Sequence, residues 1–191
     1  MKLLLHACCA PCSIQCVEDL AAGGLQPDLF WFNPNIHPYT EYSSRRDALM
    51  LFAEDKKLRL LSEDEYGLRS FIRGVSAGVS AIEESFDEND GGRCAFCYRL
   101  RLEKTARRAA EKGFDAFSTT LLISPYQNHN LIRQTGEELA GACGIEFLYR
   151  DFRPLFRKGQ NLARTAGYYM QKYCGCIYSE EERYLAKRGA K

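Results

Sequence analysis

Short apolar runs alternate with longer amphipathic stretches along this chain. Lys2–Leu5 reads as a strand, Ser13–Ala22 as a helix ended by Gly23-Gly24, and Asp28–Phe32 as a second strand. Glu41–Lys57 places Leu49, Phe52 and Ala53 at helical spacing, and Leu58–Leu61 follows as a third strand. Helices are predicted around Tyr66–Val75 and over Arg99–Lys112, the second stopped by Gly113. Asp115–Leu121 and Ile145–Tyr149 are β-rich runs on either side of a helix over Asn130–Ala142. Repeated strand and helix is the pattern of a parallel sheet with helices on both faces. The expected fold class is therefore α/β, a Rossmann-like parallel-sheet core with a helical carboxy-terminal part. Ligands of such sheets bind beyond the carboxyl ends of the strands. Cys8-Cys9 comes directly after the first strand, so a cysteine site is expected in that crevice.

The chain has 191 residues, 46% of them hydrophobic and 27% charged, without repeats, which fits one domain over residues 1–191. Its net charge of +1 is unevenly spread: residues 1–90 carry 8 Lys/Arg against 15 Asp/Glu, and residues 150–191 carry 10 against 4. The basic segment 150–191 is expected to pack on the core as helices. Either a polyanionic partner or a solvated basic helix face accounts for its charge. Met1–His6 has only three consecutive apolar residues before a polar one, and no apolar run approaches a membrane span. A cytoplasmic protein with no membrane contact is expected.

Charge leaves the chemistry open; the cysteines narrow it. Seven of nine fall in three constellations, Cys8-Cys9-Ala-Pro-Cys12, Cys94-Ala-Phe-Cys97 and Cys174-Gly-Cys176. Thiolates that share one ion are clustered by the reach of their side chains, whereas core cysteines arrive singly. In a reducing compartment an odd count favours ligands and a redox couple over a disulfide framework. Cys94 and Cys97, at a helix start, present two thiolates on one side, and Cys8 with Cys9 could complete four. Zinc and an iron–sulfur cluster both fit. Adjacent cysteines diverge, which suits separate iron atoms better than one tetrahedral ion, so the chemistry favours iron–sulfur. Cys16 and Cys143 read as packing residues. The acidic stretch Glu83–Gly92 reads as a mobile linker; a calcium loop on Asp87, Asn89 and Asp90 lacks the later Glu it requires.

The stretches LHACCAPCS (Leu5–Ser13), FNPNIHPYTEYSSR (Phe32–Arg45), RCAFCYRLRLEKTA (Arg93–Ala106), FSTTLLISPYQNH (Phe117–His129), DFRPLFRKGQNLAR (Asp151–Arg164) and YCGCIYSEEER (Tyr173–Arg183) together resemble epoxyqueuosine reductases of the QueH type. The resemblance runs from end to end. It implies a cytosolic enzyme with a HUP-like core that reduces epoxyqueuosine at the tRNA wobble position to queuosine. It further implies a [4Fe–4S] cluster on Cys8, Cys9, Cys94 and Cys97, with a redox-active disulfide at Cys174 and Cys176. For an additional iron beside the cluster, Cys12 is the candidate ligand. The partners implied are tRNA carrying epoxyqueuosine and an unidentified electron donor.

Removing an epoxide oxygen to leave an alkene consumes two electrons and two protons, so the site needs an electron source, a Lewis acid and a proton donor. Tyr126 and His129 follow the fourth strand and are candidates for proton delivery or substrate contact; capping of that loop is the structural alternative. A disulfide across one intervening residue closes a small strained ring, which makes Cys174-Gly-Cys176 a labile couple instead of a staple. Arg150, Arg153, Arg157, Lys158 and Arg164 lie beside Tyr149, Phe152, Phe156 and Tyr168, a mixture that neutralises phosphates and stacks bases when it is not core. Asn33, Asn35 and His37 either hold a base at the crevice or build a turn. Two rivals fit poorly: no Gly/Ser-rich phosphate loop follows the first strand, and Cys94-Ala-Phe-Cys97 comes far too late in the chain for a thioredoxin-like oxidoreductase. A zinc-stabilised RNA-binding module is the non-enzymatic alternative.

Overall fold

The computed structural model describes residues 1–81 and 92–185. The expected linker lies outside them except for Gly92, and so do the calcium-loop candidates. Five strands, β1 (Leu3–His6), β2 (Asp28–Trp31), β3 (Leu60–Ser62), β4 (Ala116–Thr119) and β5 (Glu146–Phe147), form a parallel sheet in the order β3-β2-β1-β4-β5. The helices are α1 (Ala10–Ala22), α2 (Tyr39–Asp55), α3 (Leu68–Ala81), α4 (Arg93–Glu111), α5 (His129–Cys143), α6 (Phe156–Thr165) and α7 (Ile177–Leu185). Six of them pack in two sets, α1 with α2 and α6, and α4 with α3 and α5. This is the Rossmann-like α/β architecture expected.

The central strands β1, β2 and β4 are buried almost throughout because the sheet is covered on both faces. Leu3, Leu4, Leu5, Phe30, Trp31 and Phe117 are all buried, and the Trp31 indole N–H donates to the Tyr42 hydroxyl at 3.1 Å. The carboxy-terminal segment closes on α1. Gly159 of α6 lies so near α1 that a Cβ would sit 3.3 Å from both the Pro11 carbonyl oxygen and Gln15 Cγ. Arg150 pairs with Asp19 at 2.6 Å, and the Tyr168 hydroxyl donates to Asp55.

Element boundaries differ where caps are unusual. α4 starts at Arg93, not Arg99, because its N-cap is Gly92 at φ +70, with no side-chain cap to announce it. Cys94 and Cys97 thus ride on its first two turns. β4 ends at Thr119, whose hydroxyl accepts from the Leu121 N–H and starts a 3₁₀ turn over Thr120–Ile123.

Candidate metal and redox site

The crossovers from β1 run through β2 to β3, and that from β4 runs to β5, so the sheet order reverses between β1 and β4. Their carboxyl ends define the crevice where such folds bind ligands. Buried His6 ties the strand ends together: Nδ1 meets Thr119 Oγ1 at 2.9 Å, and Nε2 meets the Phe32 carbonyl and Asn33 Oδ1 at 3.2 Å each. Asn33 in turn donates to the Ala7 carbonyl at 3.0 Å. Cys8 and Cys9 leave β1 at this fixed point.

Cys9 is the N-cap of α1, which places Cys12 on the next turn. The sulfurs of Cys8, Cys9 and Cys12 all lie within 4.8 Å of one another, with Cys8 and Cys9 at 3.8 Å. All three are buried at the positive end of a helix, whose dipole favours thiolate against the opposing effect of burial. Hydrogen bonds from Cys12, Cys9 and Thr120 hold the Cys8 thiol well below its ordinary range, while its presence and burial push Cys12 up. Burial likewise raises Cys9. The Gln171 amide caps the group, with Nε2 3.0 Å from the Cys9 sulfur and 3.5 Å from that of Cys12, and its buried Oε1 has no partner among the described residues.

Cys94 and Cys97 are not part of this triad. Cys97 packs with Cys176, Phe71 and Val75 in a small separate apolar cluster. Burial pushes the Cys97 thiol up to about 12, opposed by the nearby Arg101 guanidinium. Arg101 is itself buried, donates from Nη2 to the Cys97 sulfur at 3.1 Å, and lies within electrostatic reach of Cys174 and Cys8 as well. It links the two groups of thiols.

Cys174 and Cys176 are both free thiols with different surroundings: Cys174 is exposed beside Gln127 Nε2 at 3.4 Å, and Cys176 is buried beside Ser179. Gly175 between them has φ +145, and a Cβ there would meet Arg45 Nη1 at 3.2 Å and Ile36 Cγ1 at 3.3 Å, so the turn requires glycine. Arg45 is buried, paired with Glu41 at 2.7 Å, and donates to the carbonyls of Cys174 and Tyr173. His37 and the loop interlock, its N–H donating to the Gly175 carbonyl at 2.8 Å while its ring Nδ1 accepts from the Ile177 N–H.

Between the triad and this loop lies a cavity of about 340 Å³ whose lining includes Cys8, Cys12, Arg101, Tyr126, Phe156 and Cys174. Arg45, Lys172 and Arg183 also reach it, and no carboxylate lines it among the described residues. Tyr126 stands 82% exposed at its rim, edge-on to Phe156. His129 does not line the cavity; it is buried at the start of α5 between the Ser124 carbonyl and the Tyr149 hydroxyl, the structural alternative. Asn33, Asn35 and His37 are buried in the crevice wall. The basic segment also divides. Arg150 and Arg153 are tied to Asp19 and Asp151, leaving Arg157, Lys158 and Arg164 exposed on α6. Of Tyr149, Phe152, Phe156 and Tyr168, Phe156 reaches the cavity, whereas Phe152 is core, Tyr168 packs on Phe52, and Tyr149 on His129. Arg45, Arg101, Gln127 and Gln171 carry no signal in the sequence, because a charged or amide residue on a helix or loop reads as solvated.

The profile of the family described as "Epoxyqueuosine reductase QueH" matches residues 3–182. Epoxyqueuosine reductase QueH of Dehalococcoides mccartyi strain 195 is 36% identical over 96% of this chain and 94% of its own length. That of Thermotoga maritima is 33% identical over 95% and 91%. A solved structure described as a predicted subunit of tRNA methyltransferase from Methanocaldococcus jannaschii superposes with a TM-score of 0.51, covering 98% of this chain and 88% of the other. At 13% identity that likeness is one of fold alone. With its motifs matched from β1 to α7, the chain belongs to the epoxyqueuosine reductase QueH family.

Proposed function

We propose that this protein reduces epoxyqueuosine in tRNA to queuosine, using an iron–sulfur centre held by its clustered cysteines. The observation that carries the reading is the convergence of three buried thiols at the switch point of the sheet, opening on a cavity lined by arginines and by a further thiol. Soft sulfur donors without a carboxylate suit iron–sulfur chemistry or zinc and exclude a hard-cation site. Buried Arg45 and Arg101 offset the negative charge that several thiolates bring to one place. In this reading Cys8, Cys9, Cys94 and Cys97 hold a [4Fe–4S] cluster, and Cys12 serves an additional iron. Bound there, such a centre supplies single electrons and a Lewis acid for the epoxide oxygen.

The chain's own residues do the rest. Tyr126 and Phe156 offer ring faces and edges to the modified base at the cavity mouth, while Arg157, Lys158 and Arg164 meet tRNA phosphates along α6. In this reading the Tyr126 hydroxyl at the cavity rim, rather than the enclosed His129 ring, holds a proton for the departing oxygen. Closing Cys174 and Cys176 to a disulfide releases two electrons and two protons, the number that turns an epoxide into an alkene and water. An external donor then restores the thiols. Residues 150–191 act in this scheme as part of one domain, in the cytoplasm.

Anaerobic purification with iron and sulfide analysis, followed by incubation with epoxyqueuosine-containing tRNA and a reductant, tests the proposal. The expected result is a brown protein and queuosine among the digested nucleosides. A colourless zinc protein that binds tRNA without converting it would sink the proposal and leave a zinc-stabilised RNA-binding module.

A further inference from the structure

Arg101 is a cation in a place where a cation is expensive. Its side chain lies inside the protein, 2% exposed, on the turn of α4 after Cys97. Nε donates to the Cys97 carbonyl at 3.2 Å and Nη2 to the Cys97 sulfur at 3.1 Å. The side chain also lines the cavity. Arg45 has a carboxylate partner in Glu41 besides the thiols of Cys9 and Cys8, whereas the groups acting on Arg101 are the sulfurs of Cys97, Cys174 and Cys8 and the Tyr98 phenol. A guanidinium cannot escape burial by losing its proton, so it has to find an anion. Sulfur is the anion this site would provide on binding a metal, which takes its cysteines as thiolates.

We propose that Arg101 is a positioning residue of the cysteine centre: its guanidinium holds the Cys97 sulfur, offsets the charge of the thiolates around it, and so raises the reduction potential of the iron–sulfur centre. The inference rests on the functional reading above. Hydrogen bonds and positive charge at ligand sulfurs favour the reduced, more negative state of such centres. A purely structural arginine would affect folding without acting on the potential.

Redox titration of the iron-loaded full-length protein, followed by visible absorbance and electron paramagnetic resonance, separates these roles. Arg101→Gln removes the charge and is expected to weaken reduction at least tenfold, a shift of about 59 mV to more negative potential for a one-electron couple. Arg101→Lys keeps the charge but loses the planar fork that spans carbonyl and sulfur, and is expected to shift the same way by about threefold. Arg107→Gln, on the exposed side of the same helix, should leave the potential unchanged. A loaded Gln variant at the wild-type potential overturns the inference; if that variant does not load, a Lys variant at the wild-type potential overturns it equally. A wild-type protein with no reducible iron centre overturns the functional reading itself, whereas a reducible centre indifferent to Arg101 overturns this inference alone.

Discussion

The guanidinium of Arg45 reaches across 129 residues of sequence to hold the Cys174 carbonyl at 2.7 Å. Its other terminal nitrogen holds the Tyr173 carbonyl at 2.9 Å, and Glu41, itself bonded by the Tyr169 hydroxyl, fixes its Nε. A single ion pair on α2 therefore sets the position of the exposed thiol at the cavity.

Removing that clamp should loosen the loop before it affects the sheet. Arg45→Ala leaves the Glu41 carboxylate buried without its partner, which costs about 3–5 kcal/mol in denaturant unfolding. Backbone amides over 173–177 should exchange faster than those of β1 and β4. Equal protection of the loop in variant and wild type would exclude the clamp.

Replacement of Cys8, Cys9 or Cys12 by Ser is expected to lower bound iron per chain, since each removes one of three converging sulfurs. Cys94→Ser and Cys97→Ser test the reach of the centre toward α4. Cys143→Ser, at the far end of α5, should leave iron and sulfide content intact. Full loading of every variant after reconstitution would reject cysteine ligation.

What the sequence disclosed, and what it hid, follows from how local each signal is. The runs Leu3–Leu5 and Leu29–Trp31 announce buried strands because their burial on both faces leaves no polar position. Cys8-Cys9 could be placed in the crevice because it follows β1 directly. His129 was less legible: Asn128 caps α5 by accepting from the Leu131 N–H at 3.0 Å, and that turns the next residue inward. Arg45 and Arg101 look like ordinary helix-surface charges, and only contacts with chain far away in sequence show that they are interior.

The ring of His37 predicts a pH dependence. Nδ1 accepts from the Ile177 N–H at 3.3 Å and Nε2 meets the Pro34 carbonyl at 3.1 Å, an arrangement for the neutral ring, and burial holds its pKa down to about 4. The unfolded chain takes up this proton near pH 6.5, so stability is full above that value and is lost as pH falls toward 4. His6, also lowered to about 4 by burial, shares the window. Unfolding titrations at pH 4.5 to 7.5 should show this slope reduced, not abolished, in His37→Asn. An identical slope would remove His37 from the account.

Changing Arg157, Lys158 and Arg164 together to Gln should weaken tRNA binding and lower the salt slope of log K by about 2 to 3, at 0.7 to 0.9 per phosphate contact. Single-turnover conversion of saturating tRNA should change much less. A salt slope identical to wild type would remove α6 from the tRNA surface.

Gln171 caps the sulfurs of Cys9 and Cys12, yet it is added to the growing chain 159 residues after Cys12. At ribosomal rates of about 5–20 residues per second, roughly 8 to 30 s separate the synthesis of the thiols from that of their cover. During that interval the sulfurs of Cys9 and Cys12 lack the amide that caps them in the finished fold. If the triad takes a metal, elongation speed would bear on which ion it meets before that cap exists, and a pause after α1 would lengthen the period in which a wrong ion can be trapped.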